Sequence, residues 1–148
     1  MPLYSWKVDY ALRTLLDLCQ RPEGQSAQSR DIAARQDIPE AYLTQLLVRL
    51  RQRGLVRSVR GAAGGYHLGR SPSQITVGDV VRIFHDEDLL GPGPDVPAPE
   101  EGSVAWVVRD LRARLEAPVR TILEGTTLAD LEERRRHLDE AQSLALGI

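Results

Sequence analysis

The chain has one cysteine, few aromatic residues and no long apolar run. Because a membrane-spanning helix needs roughly 20 apolar residues and the N-terminus lacks a charged-then-apolar signal pattern, we expect a cytoplasmic protein with no membrane partner. The lone Cys19 excludes an intramolecular disulfide and fits a reducing compartment. Aromatic residues make up 5% of the chain and hydrophobic residues 42%, so aliphatic side chains must fill the core.

Residue patterns that would define an enzyme or a metal site are also missing. No nucleophile, base and orienting group occur together, and no paired carboxylates lie in an apolar setting. His67, His85 and His137 have no metal-ligand spacing with each other or with Cys19. A cluster normally needs several thiolates, whereas two copies of this chain supply two cysteines. The sequence therefore predicts a non-enzymatic protein with no iron–sulfur cluster, metal or other cofactor.

Charge is distributed unevenly along the chain. Residues 1–70 hold 11 Lys and Arg against 6 Asp and Glu, a net charge of +5, whereas residues 71–148 have a net charge of -7. A positive half suits phosphate binding, and an acidic half would face away from DNA. Unequal halves occur in many globular proteins, so this observation gains weight only beside a DNA-binding motif.

Residues 31–50 are the most informative stretch, because they predict two short helices around a tight turn. Pro39 ends the first helix by pushing Ile38 out of the helical region, and it can open the second helix, where its missing N–H costs little. Leucines at three- and four-residue spacing give the second helix one apolar stripe. They are Leu43, Leu46, Leu47 and Leu50. A helix held from behind with a polar face in front suits the DNA major groove.

A strand, turn and strand pattern follows this helix. Gly54 is expected to cap the helix, residues 55–60 alternate as a strand, and residues 66–68 form the returning strand. A helix-turn-helix followed by a hairpin is a winged helix, whose hairpin can contact phosphates or a minor groove. The glycine-rich turn from Gly61 to Gly65 could instead be a phosphate loop, but no Gly-Lys-Ser or Gly-Lys-Thr follows.

Helical periodicity also appears before and after this unit. Residues 4–18 predict an amphipathic helix that Ser5 can cap, and Ser29 is the expected N-cap of the first helix of the helix-turn-helix. Thr76 with Asp79 predicts a capping box.

The C-terminal helix carries an apolar stripe that something must cover. Pro118 should kink or break this helix, Gly125 should end it, and Thr127 should start a charged helical tail. The apolar stripe could pack against the same helix of a second subunit or against the chain's own domain. We favour the dimer, because a small winged helix has little surface left and paired half-sites gain affinity by tethering.

The predicted fold is mainly α with a small β hairpin. Residues 1–85 form a winged helix-turn-helix DNA-binding domain. Residues 86–102, rich in Pro, Gly and acids, form a flexible loop. Residues 103–148 form a long dimerisation helix and a C-terminal helical tail.

Motifs spread over about half the chain resemble those of a known family. They are Asp9-Tyr10-Ala11-Leu12, Asp31-Ile32-Ala33, Ile38-Pro39-Glu40, Tyr42-Leu43, Gly54-Leu55-Val56, Ser58-Val59-Arg60-Gly61, Gly64-Gly65-Tyr66 and Leu68. Their order resembles the Rrf-two family of bacterial winged-helix transcription regulators. The resemblance is close over residues 4–85 and looser over residues 106–131. It implies a homodimer that binds double-stranded DNA at a palindromic operator, acting as a repressor.

The resemblance also implies which residues contact DNA. Glu40, Ala41 and Gln45 are expected to read bases in the major groove, since Gln can pair with adenine, Glu can accept from cytosine and Ala can meet a thymine methyl. Backbone, minor-groove and structural roles at this interface are expected for Ser29, Arg30, Tyr42, Arg49, Arg57, Arg60, Gly64 and Gly65. Of these, Arg60 is the expected minor-groove contact, and the two glycines supply backbone geometry.

No sensing residues stand out. Cluster-binding members of the family carry three cysteines in the segment that matches residues 86–102, and this chain carries none there. Because some members use cluster ligands from the first helix, the resemblance leaves Asp9 with Cys19 open. We expect an apo protein that is switched by a small-molecule or protein effector or by Cys19 oxidation, or is not switched. The competing function is a protein-interaction module in which the winged helix binds a protein.

Overall fold

The computed structural model describes residues 3–62, 64–85, 90–91 and 93–148. Within these residues, six α-helices and one antiparallel two-stranded sheet follow in the order α1 Trp6–Cys19, α2 Ser29–Gln36, α3 Glu40–Gln52, β1 Val56–Val59, β2 Gly65–Leu68, α4 Val77–Phe84, α5 Val104–Gly125 and α6 Leu128–Ala145. A 3-10 turn, Pro72–Gln74, precedes α4. This confirms the predicted mainly α fold with a small hairpin. The predicted loop over 86–102 lies partly outside the described residues, at 86–89 and 92.

An aliphatic core joins α1, α3 and α4 and extends to the start of α6. Leu15, Leu47, Val80 and Leu128 are fully buried in this single cluster. The predicted leucine stripe of α3 is confirmed, because all four of its leucines are buried. The opposite face of α3 is therefore exposed to solvent. The packed core holds the helix rigidly.

Two capping boxes fix the starts of α4 and α6; the first was predicted as a box, and Thr127 was predicted as the start of the second helix. Thr76 and Asp79 exchange backbone and side-chain hydrogen bonds at 3.0 Å, and Thr127 and Asp130 do the same at 2.9 and 3.1 Å. The segments before the two helices also pair with each other as an isolated antiparallel bridge between Thr76 and Thr127. The beginning of α4 is thus tied to the beginning of α6.

Three local expectations are corrected. Ser5 occupies the N-cap position of α1 without making a capping hydrogen bond, and Ser29 is the first residue of α2, where Gln28 is the N-cap. The position shifts because residue 27 is held in extended pairing with the wing, so the helix starts directly after it. Pro118 does not break α5, which runs continuously from Val104 to Gly125. A proline removes only one hydrogen bond, and the neighbouring turns hold the helix. None of the described helices combines the length and apolar character that a membrane crossing requires.

Candidate nucleic-acid interface

A sharp turn sets the angle between α2 and α3. Asp37 ends α2 in the left-handed conformation, with φ 52°, and it is the only non-glycine residue with positive φ in the described part of the chain. Asp tolerates this region better than most residues. Ile38 is buried and donates its N–H to the carbonyl of Ala33 at 3.0 Å, and Pro39 is the N-cap of α3. The turn therefore anchors α3 against α2 and the core.

The outward face of α3 carries the residues predicted to read bases. Glu40, Ala41, Gln45 and Arg49 are all exposed. Ala41 and Gln45 lie opposite the buried leucines, and Glu40 and Arg49 lie to either side, so a groove could approach all four without displacing the core. The face presents an acid, a small apolar group, an amide and a guanidinium, which together can donate, accept and make apolar contacts with base edges.

Aromatic residues lie beside this face, in an arrangement that local sequence patterns do not indicate. The ring of Tyr42 meets the ring of Trp6 edge-on with centroids 5.0 Å apart, and Trp6 meets Tyr10 at 5.6 Å. The guanidinium of Arg49 lies over the ring of Phe84 at 5.5 Å. Edge-on rings and cation–π contacts each contribute about 0.5–1.5 kcal/mol. The ring of Tyr42 is therefore partly exposed but packed against Trp6. The contact with Phe84 of α4 fixes the position of the Arg49 guanidinium.

The wing is fixed to the connection between α1 and α2. Strands β1 and β2 pair from Val56 with Leu68 to Val59 with Gly65. Tyr66 exchanges two backbone hydrogen bonds with Ala27, at 2.8 and 2.9 Å, so residue 27 acts as a short third strand. Arg57 and Arg60, both exposed, lie on β1 and directly after it.

A concave groove brings five of the predicted residues together. It has a volume of about 280 Å³ and lies between the start of α2, the start of α3 and the wing. Its lining includes Ser29, Arg30, Glu40, Gly64 and Gly65.

The other predicted residues lie on either side of this groove. Tyr42, Gln45 and Arg49 line a smaller cavity of about 80 Å³ with Trp6 and Lys7. Arg57 and Arg60 stand on the wing. Trp6 and Lys7 were not predicted to lie at this surface, because nothing in the sequence places the start of α1 beside α3.

Replacing Gly65 with alanine is expected to detach the wing from residue 27. Gly65 has φ +147°, and a Cβ atom there would lie 2.4 Å from the backbone oxygen of Ala27. The resulting clash and backbone strain should lower the free energy of unfolding by about 2 kcal/mol and weaken DNA binding. Thermal unfolding measures this directly. Gly125→Ala is the control, since a Cβ atom at Gly125 meets nothing within 4 Å; equal losses in the two variants would contradict the expectation.

A buried carboxylate locks α2 to α1. Asp17 is 1% exposed and accepts two hydrogen bonds from Arg35, at 2.8 and 2.9 Å, and one from Gln36 at 2.9 Å. Burial alone would raise the pKa of Asp17, but the hydrogen bonds from Arg35 and Gln36, with the charges of Arg35 and Arg21, outweigh it and lower the pKa. The carboxylate therefore stays charged at neutral pH and holds the helix-turn-helix in place.

A winged helix with an exposed polar recognition face and an arginine-bearing wing defines a DNA-binding regulator. Comparisons with known proteins agree. A family model described as "Rrf2: Iron-dependent Transcriptional regulator" matches residues 4–134. This chain belongs to the Rrf2 family, which is the Rrf-two family that its motifs resemble.

Individual relatives support the same class. The HTH-type transcriptional regulator IscR of Cronobacter sakazakii is 47% identical over 130 residues, spanning 88% of this chain and 80% of IscR. The HTH-type transcriptional regulator CymR of Bacillus subtilis is 38% identical over 127 residues, spanning 86% of this chain and 87% of CymR. The solved structure of CymR, described as the global cysteine regulator of B. subtilis, has a TM-score of 0.71 at 37% identity and covers 88% of this chain and 96% of that chain. These relatives are transcription regulators, not enzymes.

The family description names iron, but the donor atoms of this chain do not fit an iron–sulfur cluster. Cys19 is the single cysteine of the sequence. Burial, and then the charge of Glu132, raise the pKa of Cys19 to about 12, so the thiolate that would bind iron is scarce at neutral pH. Among the residues that the structure describes, no three His, Cys, Asp or Glu side chains are placed to hold a metal ion.

Proposed function

We propose that this regulator is a homodimeric repressor that binds a palindromic operator and works without an iron–sulfur cluster. The observation that carries the proposal is the exposed polar face of α3 on a buried leucine stripe, beside a wing that bears Arg57 and Arg60. A rigid helix with this face suits one half-site of a major groove. Occupying an operator would exclude polymerase, which is the simplest route to repression.

The dimer rests on the outward face of α5. Val104, Leu115 and Ile122 are 83%, 57% and 62% exposed, and Val108 and Leu111 lie on the same side of the helix. A contiguous apolar stripe on a surface helix favours a partner surface. In this proposal residues 103–148 provide the dimer contact and residues 1–85 bind DNA, so that two α3 helices meet two half-sites.

Individual residues are assigned from their positions. Glu40, Ala41 and Gln45 would meet base edges, because they are exposed in the first two turns of α3. Arg60 would enter the minor groove from the wing, and Arg57 would contact the backbone. Ser29 and Arg30 line the groove beside Glu40 and would contact phosphates, as would the hydroxyl of Tyr42 and the guanidinium of Arg49.

The signal is proposed to be a small-molecule or protein effector. Oxidation of Cys19 is disfavoured because the raised pKa keeps the thiol protonated, and the protonated form reacts slowly with oxidants. Asp9 is also poorly suited to bind a cluster, since it already accepts a hydrogen bond from Arg13 at 3.0 Å.

The proposed function is tested by selecting bound duplexes from a random DNA library at near-physiological salt. We expect a two-fold motif with half-sites about one helical turn apart. On the selected operator, Gln45→Ala should weaken binding by roughly 1–3 kcal/mol and relax the preference at one base pair. Arg60→Ala should also weaken binding. Gln52→Ala, at the far end of α3, is the matched control and should change little.

Two results would overturn the proposal. An absence of any enriched motif would favour the interaction-module function, in which the winged helix binds a protein. Unchanged affinity in both Gln45→Ala and Arg60→Ala would contradict the residue assignment even if a motif were found.

A further inference from the structure

A second cavity lies beside the groove, on the side away from α3. Its volume is about 470 Å³, and the connection between α1 and α2, the first turns of α2 and the turn of the wing form its walls. The two concave surfaces share Gln28, Arg30 and Gly64. The two concave surfaces are therefore adjacent, one at the start of α3 and the other at the α1–α2 connection.

The lining of this cavity is basic. Arg21, Arg30 and Arg35 line it together with one acid, Asp31. Arg30 lies 4.0 Å from Asp31, and both side chains are more than half exposed, so this ion pair is weak and leaves the guanidinium able to turn toward an anion. Arg35 is bound to Asp17 behind the wall but keeps 36% of its side chain exposed. The three arginines thus exceed the two neighbouring acids, Asp31 and Asp17, by one positive charge.

Arg21 distinguishes this cavity from an ordinary basic surface. Its Nε atom is buried and has no hydrogen-bond partner among the described residues. Because this atom is closed off from solvent, an anion in the cavity would reach it only after the Arg21 side chain turns, and a buried charged donor gains from such an acceptor. The acceptor that best matches a guanidinium is an oxyanion such as phosphate, which can take two parallel hydrogen bonds.

Uncharged residues of the α1–α2 connection and of the wing complete the cavity wall. Gln25 contributes to the wall, and Gly64 places the backbone of the wing on the opposite side. The pairing of Ala27 with Tyr66 holds the α1–α2 connection against the wing, so the walls keep their spacing.

We propose that this cavity binds a phosphate group through Arg21, Arg30 and Arg35, and that the phosphate belongs to the DNA backbone flanking the half-site. This source rests on the proposed function, because the cavity is adjacent to the groove at the start of α3. A contact with a flanking phosphate would make Arg21 a determinant of affinity for longer DNA, with no role in reading bases. A free phosphate-bearing small molecule offers the same chemistry, and the test separates the two sources.

The first arm compares two duplexes that carry the selected operator. One ends at the operator, and the other extends it by about 6 base pairs on each side, which adds phosphates within reach of the cavity. The wild-type protein should bind the longer duplex roughly tenfold more tightly, since a charge-assisted phosphate contact is of that size. Arg21→Gln should lose this gain, and its salt dependence on the longer duplex should fall by about one phosphate contact.

Two further variants keep the result interpretable. Arg136→Gln removes the same charge from an exposed position on α6 and should keep the full gain. Gln25→Glu adds a negative charge to the cavity and leaves Arg21 and Asp17 in place, so it should lose the gain even if Arg21→Gln proves unstable. A gain retained in both Arg21→Gln and Gln25→Glu would overturn the flanking-DNA assignment.

The second arm uses inorganic phosphate without DNA, followed by NMR at constant ionic strength. Shifts confined to the cavity in the wild-type protein, and absent in Arg21→Gln, would support a phosphate site. If they occur without a length effect on DNA, the flanking-DNA source is wrong and the site serves a free anion. If no duplex is bound specifically, the proposed function fails, while the phosphate titration still decides whether the cavity is an anion site. No length effect and no phosphate shifts would overturn the inference.

Discussion

Replacing Leu115 with glutamate is expected to convert the protein from a dimer into a monomer and to weaken operator binding by about 100-fold or more. Leu115 lies in the middle of the exposed stripe of α5. A charge there would be buried without a partner in a dimer, whereas in the monomer it would face water. The loss of tethering between two half-site contacts accounts for the size of the effect. Sedimentation gives the mass, and titration of the selected operator gives the affinity.

The control for this variant lies two residues away on the same helix. Ala113 is exposed, and a separation of two residues turns it about 200° around the helix axis from Leu115. Ala113→Glu adds the same charge and should leave both the mass and the affinity unchanged. Because Leu115 is exposed in the single chain, Leu115→Glu should keep its helical content. A dimer that persists in Leu115→Glu would show that α5 is not the contact.

Features that depend on local spacing were predictable from the sequence. The leucine stripe that ends at Leu50 predicted the buried face of α3. Thr76 and Thr127 predicted the starts of α4 and α6. Ser29 shows where this reasoning fails. Its residue type suits an N-cap, but the pairing of Ala27 with the wing decides where α2 begins. Tertiary contacts therefore override local preference at this boundary.

Contacts between distant residues could not be predicted from one sequence. Asp17 and Arg35 are 18 positions apart, and nothing in either segment marks them as partners. Trp6 meets Tyr42 only because α1 packs across α3 in the core. The cavity around Arg21 likewise needs the wing, which lies more than 40 residues later in the sequence. Motif spacing predicted the exposed face of α3. Packing between distant segments determines which residues support that face and which cavity lies beside it.

Replacing Asp17 with alanine is expected to lower the free energy of unfolding by about 3 kcal/mol. The change removes three hydrogen bonds and leaves Arg35 and Gln36 without their acceptor. We take the low end of the range for broken buried pairs because Arg35 keeps 36% of its side chain in solvent and can be hydrated there. Denaturant titration at pH 7 measures the loss. The matched control is Asp9→Ala, which removes a half-buried ion pair with Arg13 from the same helix and should cost about 1 kcal/mol or less, because water still reaches both side chains.

The pH dependence of this difference provides a second test of the same carboxylate. The pKa of Asp17 in the folded protein lies below its ordinary value of 3.8. Between these two values the unfolded chain binds more protons than the folded one, so the contribution of Asp17 falls as the pH falls. The gap in unfolding free energy between wild type and Asp17→Ala should be constant above about pH 5 and should narrow progressively below that. A gap that stays constant down to about pH 3 while both proteins remain folded, or a loss at pH 7 no larger than that of Asp9→Ala, would mean that packing around residue 17 and not its charge holds α2 to α1.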